Sequence, residues 1–433
     1  MKNIGSMNIW SVTAMGIGAM VGAGIFALLG VVAMVAGDDT YIAFLLGGGI
    51  ALLSGYSYAK LAARYSDAGG LATYFDEAFG KGKLSGTLSL TYLLTIGVTI
   101  ALVAKAFGAY AAPLLLSQPN SLSINSFATA IIVLLVVLNI AGSNLVGNAE
   151  VLLVAFKLII LALLIVAGSY GMATHGILRH ETPRAFPLIS SVGLTFLAYA
   201  GFGMMTNAAG SVEQPKKTIP HAIYLAIGLV MLFYVALAVI VVGSVPIAQL
   251  SHNADTAVAA AARPVLGSTG YVIVSIAALL ATASAVNAWV FTAMQISMSM
   301  AEVKQLPQAF KHLVWRNGTL GLLLSIAAII IAVNVFDLDA LARIASATFL
   351  ISYMAVHVAH WRLIDQTKGS RWLIGVGFLG MLAVLVCFLW STAITQPWSL
   401  ALIAVFLLGS WLIESVLHKS AIHPMAEATT DVP

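Results

Sequence analysis

The stretch Gly16-Ile17-Gly18-Ala19-Met20-Val21-Gly22-Ala23-Gly24-Ile25-Phe26 decides how this chain is to be read. It lies inside an apolar run covering 9–36, and about 20 apolar residues suffice to cross a hydrocarbon core of about 30 Å. Four glycines therefore fall at mid-membrane depth, each costing about 1 kcal/mol of helix propensity relative to alanine. Gly18 and Gly22 form a GxxxG pair, so this stretch alone also reads as a face for close helix packing. A second stretch, Leu197-Ala198-Tyr199-Ala200-Gly201-Phe202-Gly203, lies near the middle of the sixth apolar run. Two glycine-interrupted spans, five apart, shift the reading towards helices broken at matching positions of two repeated halves. Unwound backbone at that depth must line a polar cavity rather than lipid. Free N–H groups there suit a carboxylate and free carbonyls suit an ammonium, and a zwitterion needs both in one place.

The rest of the chain agrees with a membrane setting. Of 433 residues, 61% are hydrophobic and 8% charged, whereas soluble proteins carry about 25% charged residues. The net charge of +4 comes without a basic block, which excludes a nucleic-acid partner. Strands of an outer-membrane barrel alternate and give a weaker hydropathy signal than this. The chain therefore reads as an all-α polytopic membrane protein with a lipid bilayer as its surroundings. The apolar runs number twelve: 9–36, 41–63, 85–112, 124–141, 149–171, 189–210, 221–244, 268–300, 318–335, 339–360, 372–391 and 396–417. Turn chemistry separates them at Gly37-Asp38-Asp39, Ser117-Gln118-Pro119-Asn120 and Gln214-Pro215. The first run is too long for a signal-peptide core and lacks a basic flank, so it reads as a retained span.

Basic residues set the orientation. With the N-terminus cytoplasmic, the inner loops hold Lys60, Arg64, Lys81, Lys83, Lys216, Lys217, Lys304, Lys311, Arg316, Arg362, Lys368 and Arg371, with Lys2 and Lys419 at the termini. The outer side holds Arg179, Arg184 and Arg263. Both termini are thus expected in the cytoplasm of a plasma (inner) membrane protein. Residues 1–417 form one transmembrane domain and 418–433 a polar, disordered cytoplasmic tail.

Three basic residues fall within spans. Lys157, in Glu150-Val151-Leu152-Leu153-Val154-Ala155-Phe156-Lys157-Leu158-Ile159-Ile160, lies seven residues from the cytoplasmic end of the fifth run. That is about 10 Å at 1.5 Å per residue. A charge at that depth costs a few kcal/mol unless it is partnered. It either snorkels to the interface or, because desolvation disfavours the charged form of any amine, exchanges a proton during a working cycle. Lys105 and Arg343 are expected to reach water near the outer ends of their spans, with Asp337 and Asp339 as local partners for Arg343. Glu150 is expected to cap the fifth helix. His357 and His360 read as interfacial, and no metal site is expected. Trp289, Trp390 and Trp398 read as packing residues or interfacial anchors. Cys387 reads as a core- or lipid-facing residue. No HExxH or GxSxG motif points to an enzyme, and nothing resembles a channel's selectivity filter.

The glycine-rich first span resembles that of the amino acid/polyamine/organocation (APC) permeases, as does Tyr199-Ala200-Gly201-Phe202 in the sixth. The run Glu213-Gln214-Pro215-Lys216-Lys217-Thr218-Ile219-Pro220 is similar to the family's Glu-x-Pro pattern, and so are the first loop from Lys60 through Gly70 to Gly80 and the stretch Ser284–Ala288 followed by Pro307. Within the family, Gly203-Met204-Met205-Thr206-Asn207-Ala208 and Lys157 look like the proton-coupled ApcT-type transporters. The resemblance implies a five-plus-five inverted-repeat (LeuT-like) fold, with discontinuous helices 1 and 6. The repeats would cover about 9–171 and 189–360, with two extra helices at about 372–417. It implies a substrate carboxylate on the backbone N–H groups of Ala23 and Gly24, beside Gly22, and an ammonium on the carbonyls of Met20, Leu197 and Ala200, with Phe202 covering the ligand. It implies that Lys157 stands in for a sodium ion beside the Gly18 carbonyl and Ser284, so the proton is the coupling ion and neither sodium nor any cofactor is expected. Many relatives carry an acid where this chain has Gly203, which counts against acid gating there. The expected function is proton-coupled uptake of small neutral L-amino acids by alternating access. An amino acid exchanger needing no proton stays open.

Overall fold

A computed structural model describes residues 7–65, 70–141, 146–175, 185–212 and 214–427. The helices in chain order are α1 (Ile9–Ala23), α2 (Ile25–Ala36), α3 (Thr40–Arg64), α4 (Leu71–Phe79), α5 (Lys83–Leu115), α6 (Ser121–Ala141), α7 (Val146–His175), α8 (Ala185–Tyr199), α9 (Pro215–Ser244), α10 (Ile247–Leu250), α11 (Ala257–Glu302), α12 (Leu320–Val335), α13 (Leu338–Arg362), α14 (Ile364–Thr367), α15 (Arg371–Thr395) and α16 (Pro397–Glu427). Each apolar run read from the sequence is helical over most of its length. Among the described residues, ten continuous helical stretches are long and apolar enough to cross a membrane, and two more, Ile9–Gly22 and Leu320–Val335, are apolar but shorter.

α1 lies at the centre, packed on α7, α9 and α11. Small residues allow the close approach: a Cβ on Gly22 would collide with the Ala281 carbonyl and the Ala285 methyl of α11. α3 packs along α9 and α8, while α5 touches α6, α11, α12, α13 and α16. Outward-facing positions such as Leu134 and Val137 on α6, Leu163 and Val166 on α7, and Val405 and Leu408 on α16 are exposed and apolar. A helix can present such a face to lipid because its own backbone hydrogen bonds are internal.

The structure departs from the sequence reading in four places. The first loop contains α4, whose buried Leu71, Ala72, Tyr74 and Phe75 anchor it to the bundle. The eighth run begins earlier than 268: α11 starts at Ala257, bends at Gly267 (φ 68°) and follows a 3-10 turn, Ser251–Thr256, that packs on α2. A two-stranded antiparallel hairpin, Leu313–Trp315 with Gly318–Thr319, stands among the helices. α16 extends to Glu427 rather than ending at 417. Lys2, Ala68, Gly69, Arg179, Arg184, Glu213, the side chains of Ala23, Glu150 and Lys419, and the tail from 428 lie outside the described residues.

Candidate functional site

The two glycine-rich stretches meet. Gly201 sits so close to α1 that an added Cβ would lie 2.9 Å from both the Ala19 Cβ and the Met20 nitrogen. At the first stretch the helix is bent at one residue. α1 stops at Ala23, Gly24 takes φ −79° and ψ −76°, and α2 resumes at Ile25. The Gly24 N–H donates to the Met20 carbonyl at 2.7 Å, and the Gly24 carbonyl accepts from the Leu28 N–H at 3.0 Å. At the second stretch α8 ends at Tyr199 and twelve residues, Ala200–Ser211, continue as a 3-10 helix. A run that long is unusual, since 3-10 helices rarely exceed three or four residues. Apart from Gly210 and Ser211 it is buried throughout.

Two tyrosine hydroxyls from other helices hold the carbonyls at these breaks. Tyr234 of α9 donates to the Met20 carbonyl at 2.6 Å and lies 3.4 Å from the Ala198 carbonyl, so one hydroxyl sits against both interrupted helices. A Cβ on Gly24 would overlap that hydroxyl. Tyr353 of α13 donates to the Ala200 carbonyl at 2.5 Å. A Cβ on Gly203 would meet the Tyr353 oxygen at 2.5 Å, so glycine at 203 is what admits the hydroxyl. That gives a local reason for this chain's lack of an acid at the position.

Phe202 is fully buried, its ring 5.3 Å from Tyr58 and 5.4 Å from Tyr353. Tyr58 and Tyr353 are themselves 4.9 Å apart, and the cluster continues through Phe196 and Phe349 to Trp289. Edge-on and tilted ring pairs of this kind add about 0.5–1.5 kcal/mol each beyond the area they bury. Leu197 is buried in the last turn of α8.

The Lys157 side chain is only 1% exposed. It does not snorkel: its Nζ turns inward from α7 and donates to the Gly18 carbonyl of α1 at 3.2 Å and to the Ser284 hydroxyl of α11 at 3.5 Å. Three helices thus converge on one amine, and the neighbours are the two expected from the resemblance.

Other charged and polar residues fall differently from the sequence reading. Arg343 is 6% exposed rather than reaching water, and it pairs with Asp339 at 3.0 Å and donates to Thr392 at 3.3 Å. Lys105 is half-buried, donating to the Val333 carbonyl at 3.0 Å and to the Phe336 carbonyl. His357 and His360 are buried against α3 rather than interfacial. Trp289 is a core residue, while Trp390 and Trp398 are exposed as anchors would be. Sequence reasoning missed Tyr234 and Tyr353. The available signal was a hydroxyl-bearing ring deep in an apolar span, where it needs an acceptor.

A profile of the amino acid permease family matches residues 7–412. The chain belongs to this amino acid permease family, within the APC superfamily. It is a multi-pass membrane transporter of amino acids rather than an enzyme. The permease is 44% identical over 413 residues to the inner membrane transport protein YbaT of Escherichia coli K12, covering 95% of both chains. It is 26% identical to the serine/threonine exchanger SteT of Bacillus subtilis, over 89% of this chain and 90% of that one. It is also 26% identical to the mitochondrial cationic amino acid transporter 3 of Arabidopsis thaliana, over 80% of this chain and 60% of that one.

Proposed function

We propose that this permease takes up small neutral L-amino acids together with a proton, by alternating access across a plasma (inner) membrane. The observation that carries the reading is the Lys157 amine, buried on the Gly18 carbonyl and the Ser284 hydroxyl. A protonated amine there ties α7 to α1 and α11, and its deprotonation releases α1, which is the helix that carries the first break. The proton replaces sodium, and no cofactor takes part. Twelve spans in a five-plus-five inverted repeat with two extra helices, and cytoplasmic termini, complete the architecture of this reading. The inner-membrane location in the name of the Escherichia coli relative supports the compartment.

The substrate binds between the two breaks. Its carboxylate meets the backbone N–H groups of Ala23 and Gly24 beside Gly22, and its ammonium meets the carbonyls of Met20, Leu197 and Ala200 under Phe202. The Gly24 N–H donates to the Met20 carbonyl in the structure, so binding requires the bend at Gly24 to open and that bond to break. Opening frees the N–H for the carboxylate and a lone pair of the Met20 carbonyl for the ammonium, beside the Tyr234 hydroxyl. At Ala200 the ammonium competes with the Tyr353 hydroxyl.

The second reading is an amino acid exchanger that needs no proton, favoured by the likeness to a serine/threonine exchanger. Proteoliposomes separate the two. An inward proton gradient alone drives net uptake in a symporter, whereas an exchanger moves labelled amino acid only against unlabelled amino acid inside. A thermal-shift screen against the twenty amino acids identifies the substrate, since a ligand at a hundred times its Kd stabilises by about 2.7 kcal/mol.

A further inference from the structure

His357 and His360, one turn apart on α13, meet Ser54 and Ser57, nearly one turn apart on α3, in a pocket completed by α15. All four side chains are buried. The Ser57 hydroxyl lies 3.0 Å from Nδ1 of His357 and 3.0 Å from Nδ1 of His360. The Ser54 hydroxyl lies 3.3 Å from Nε2 of His357 and 3.0 Å from the Ile50 carbonyl. Nε2 of His360 is buried and has no hydrogen-bond partner.

Hydrogen counting orders these contacts. Ser54 has one hydrogen, and the Ile50 carbonyl is a better acceptor than the Met381 sulfur 3.7 Å away. Ser54 Oγ therefore accepts from His357 Nε2–H. A neutral His357 then has a bare Nδ1, which accepts the single Ser57 hydrogen. Ser57 Oγ in turn accepts from His360 Nδ1–H. The last atom of the chain, Nε2 of His360, is left as an unoccupied lone pair.

Two glycines make room for the rings. A Cβ on Gly369, in the turn before α15, would lie 2.5 Å from that Nε2, and one on Gly377 of α15 would lie 2.5 Å from His357 Cε1. From α3, Tyr56 places its ring 5.7 Å from His360, and the Lys60 ammonium lies 5.9 Å from the Tyr56 ring. Lys60 is the charged group whose field reaches His360. α15 offers Met381 and glycine. Among the described residues no carboxylate lies within salt-bridge distance of either ring.

We propose that His360, Ser57 and His357 form a second proton-binding site, separate from Lys157, which a proton enters at Nε2 of His360. As that proton binds, His360 Nδ1–H passes to Ser57 Oγ while the Ser57 hydrogen passes to His357 Nδ1. His360 is left neutral with its hydrogen on Nε2, and His357 carries both ring hydrogens and the positive charge. No bond other than N–H and O–H changes, and one proton has moved one charge along α13 by a helical turn. The same helix carries Tyr353, one turn further back, on the Ala200 carbonyl.

The test is nitrogen NMR of the whole solubilised protein with ring-labelled histidine, assigned by difference with His357→Gln or His360→Gln. Near pH 8, His357 should carry its hydrogen on Nε2 and His360 on Nδ1. On acidification to well below about pH 5 the two rings should shift together with one midpoint, because a single proton changes both. Ser57→Ala should make the rings titrate apart. Gly369→Ala, whose methyl covers Nε2, should abolish proton uptake and leave the neutral tautomers in place, and either variant suffices if the other does not fold. Rings that keep their neutral signals throughout, or titrate independently in the unaltered protein, would overturn the proposal. So would a hydrogen on His360 Nε2 at high pH. Because the readout is ring protonation and not transport, it fails or succeeds independently of the Lys157 reading.

Discussion

The two breaks begin from the same signal, a cluster of glycines in an apolar span, and end in different backbones. At Gly24 the chain bends within a single residue, and the hydrogen-bond ladder passes through the bend. At Ala200 the α-helix gives way to a twelve-residue 3-10 helix. Glycine content does not explain the difference. The first break is flanked by α7, α9 and α11, which press on α1 from several sides, and Gly22 is locked against Ala281. The second has Phe202 and Tyr353 wedged beside it. What the breaks share is a tyrosine hydroxyl on the carbonyl that a substrate ammonium would need. They differ in reach: the Tyr234 hydroxyl lies against both interrupted helices, at the Met20 and Ala198 carbonyls, whereas the Tyr353 hydroxyl donates at the second break, to Ala200.

Variants can break this comparison in graded steps. The largest effect is expected from Phe202→Ala. It empties a fully buried ring site in the second break, so thermal unfolding in detergent should show a loss of about 3–5 kcal/mol, and substrate binding should weaken as well. Gly22→Val should come next, at about 1–3 kcal/mol, because the added carbons overlap backbone that cannot turn aside. Tyr234→Phe and Tyr353→Phe should each cost about 0.5–1.5 kcal/mol, because each carbonyl keeps a backbone donor. Tyr234→Phe should be the larger of the two, since its hydroxyl also lies against the Ala198 carbonyl. A larger loss for Tyr353→Phe would remove the distinction drawn between the breaks. Gly210→Ala is the smallest step. No atom lies within 4 Å of its added Cβ, and unfolding should move by no more than about 0.5 kcal/mol.

Much of this was legible in the sequence because the bilayer imposes simple rules. Twenty-residue apolar runs have few alternatives to helix, and every run is helical over most of its length here. The meeting of Lys157, Gly18 and Ser284 was legible only through a resemblance, since the three are 139 and 127 positions apart. The misplaced residues share one cause. Arg343, His357 and His360 were read by their distance from a helix end, which measures depth but not which way a side chain faces. Arg343 turns inward because Asp339, one turn earlier on α13, offers its carboxylate. The histidines turn inward because Ser54 and Ser57 on a different helix offer hydroxyls. α4 was missed because it is short and its amphipathic pattern lies in a polar loop.

The central claim is that the Lys157 amine couples the proton to transport. It is tested most directly by Lys157→Ala in proteoliposomes, using the amino acid that the thermal-shift screen selects. The account predicts that uptake driven by an inward proton gradient falls to the leak rate while counterflow persists, because the backbone contacts at the two breaks remain. Proton-driven uptake that survives the substitution intact would contradict it.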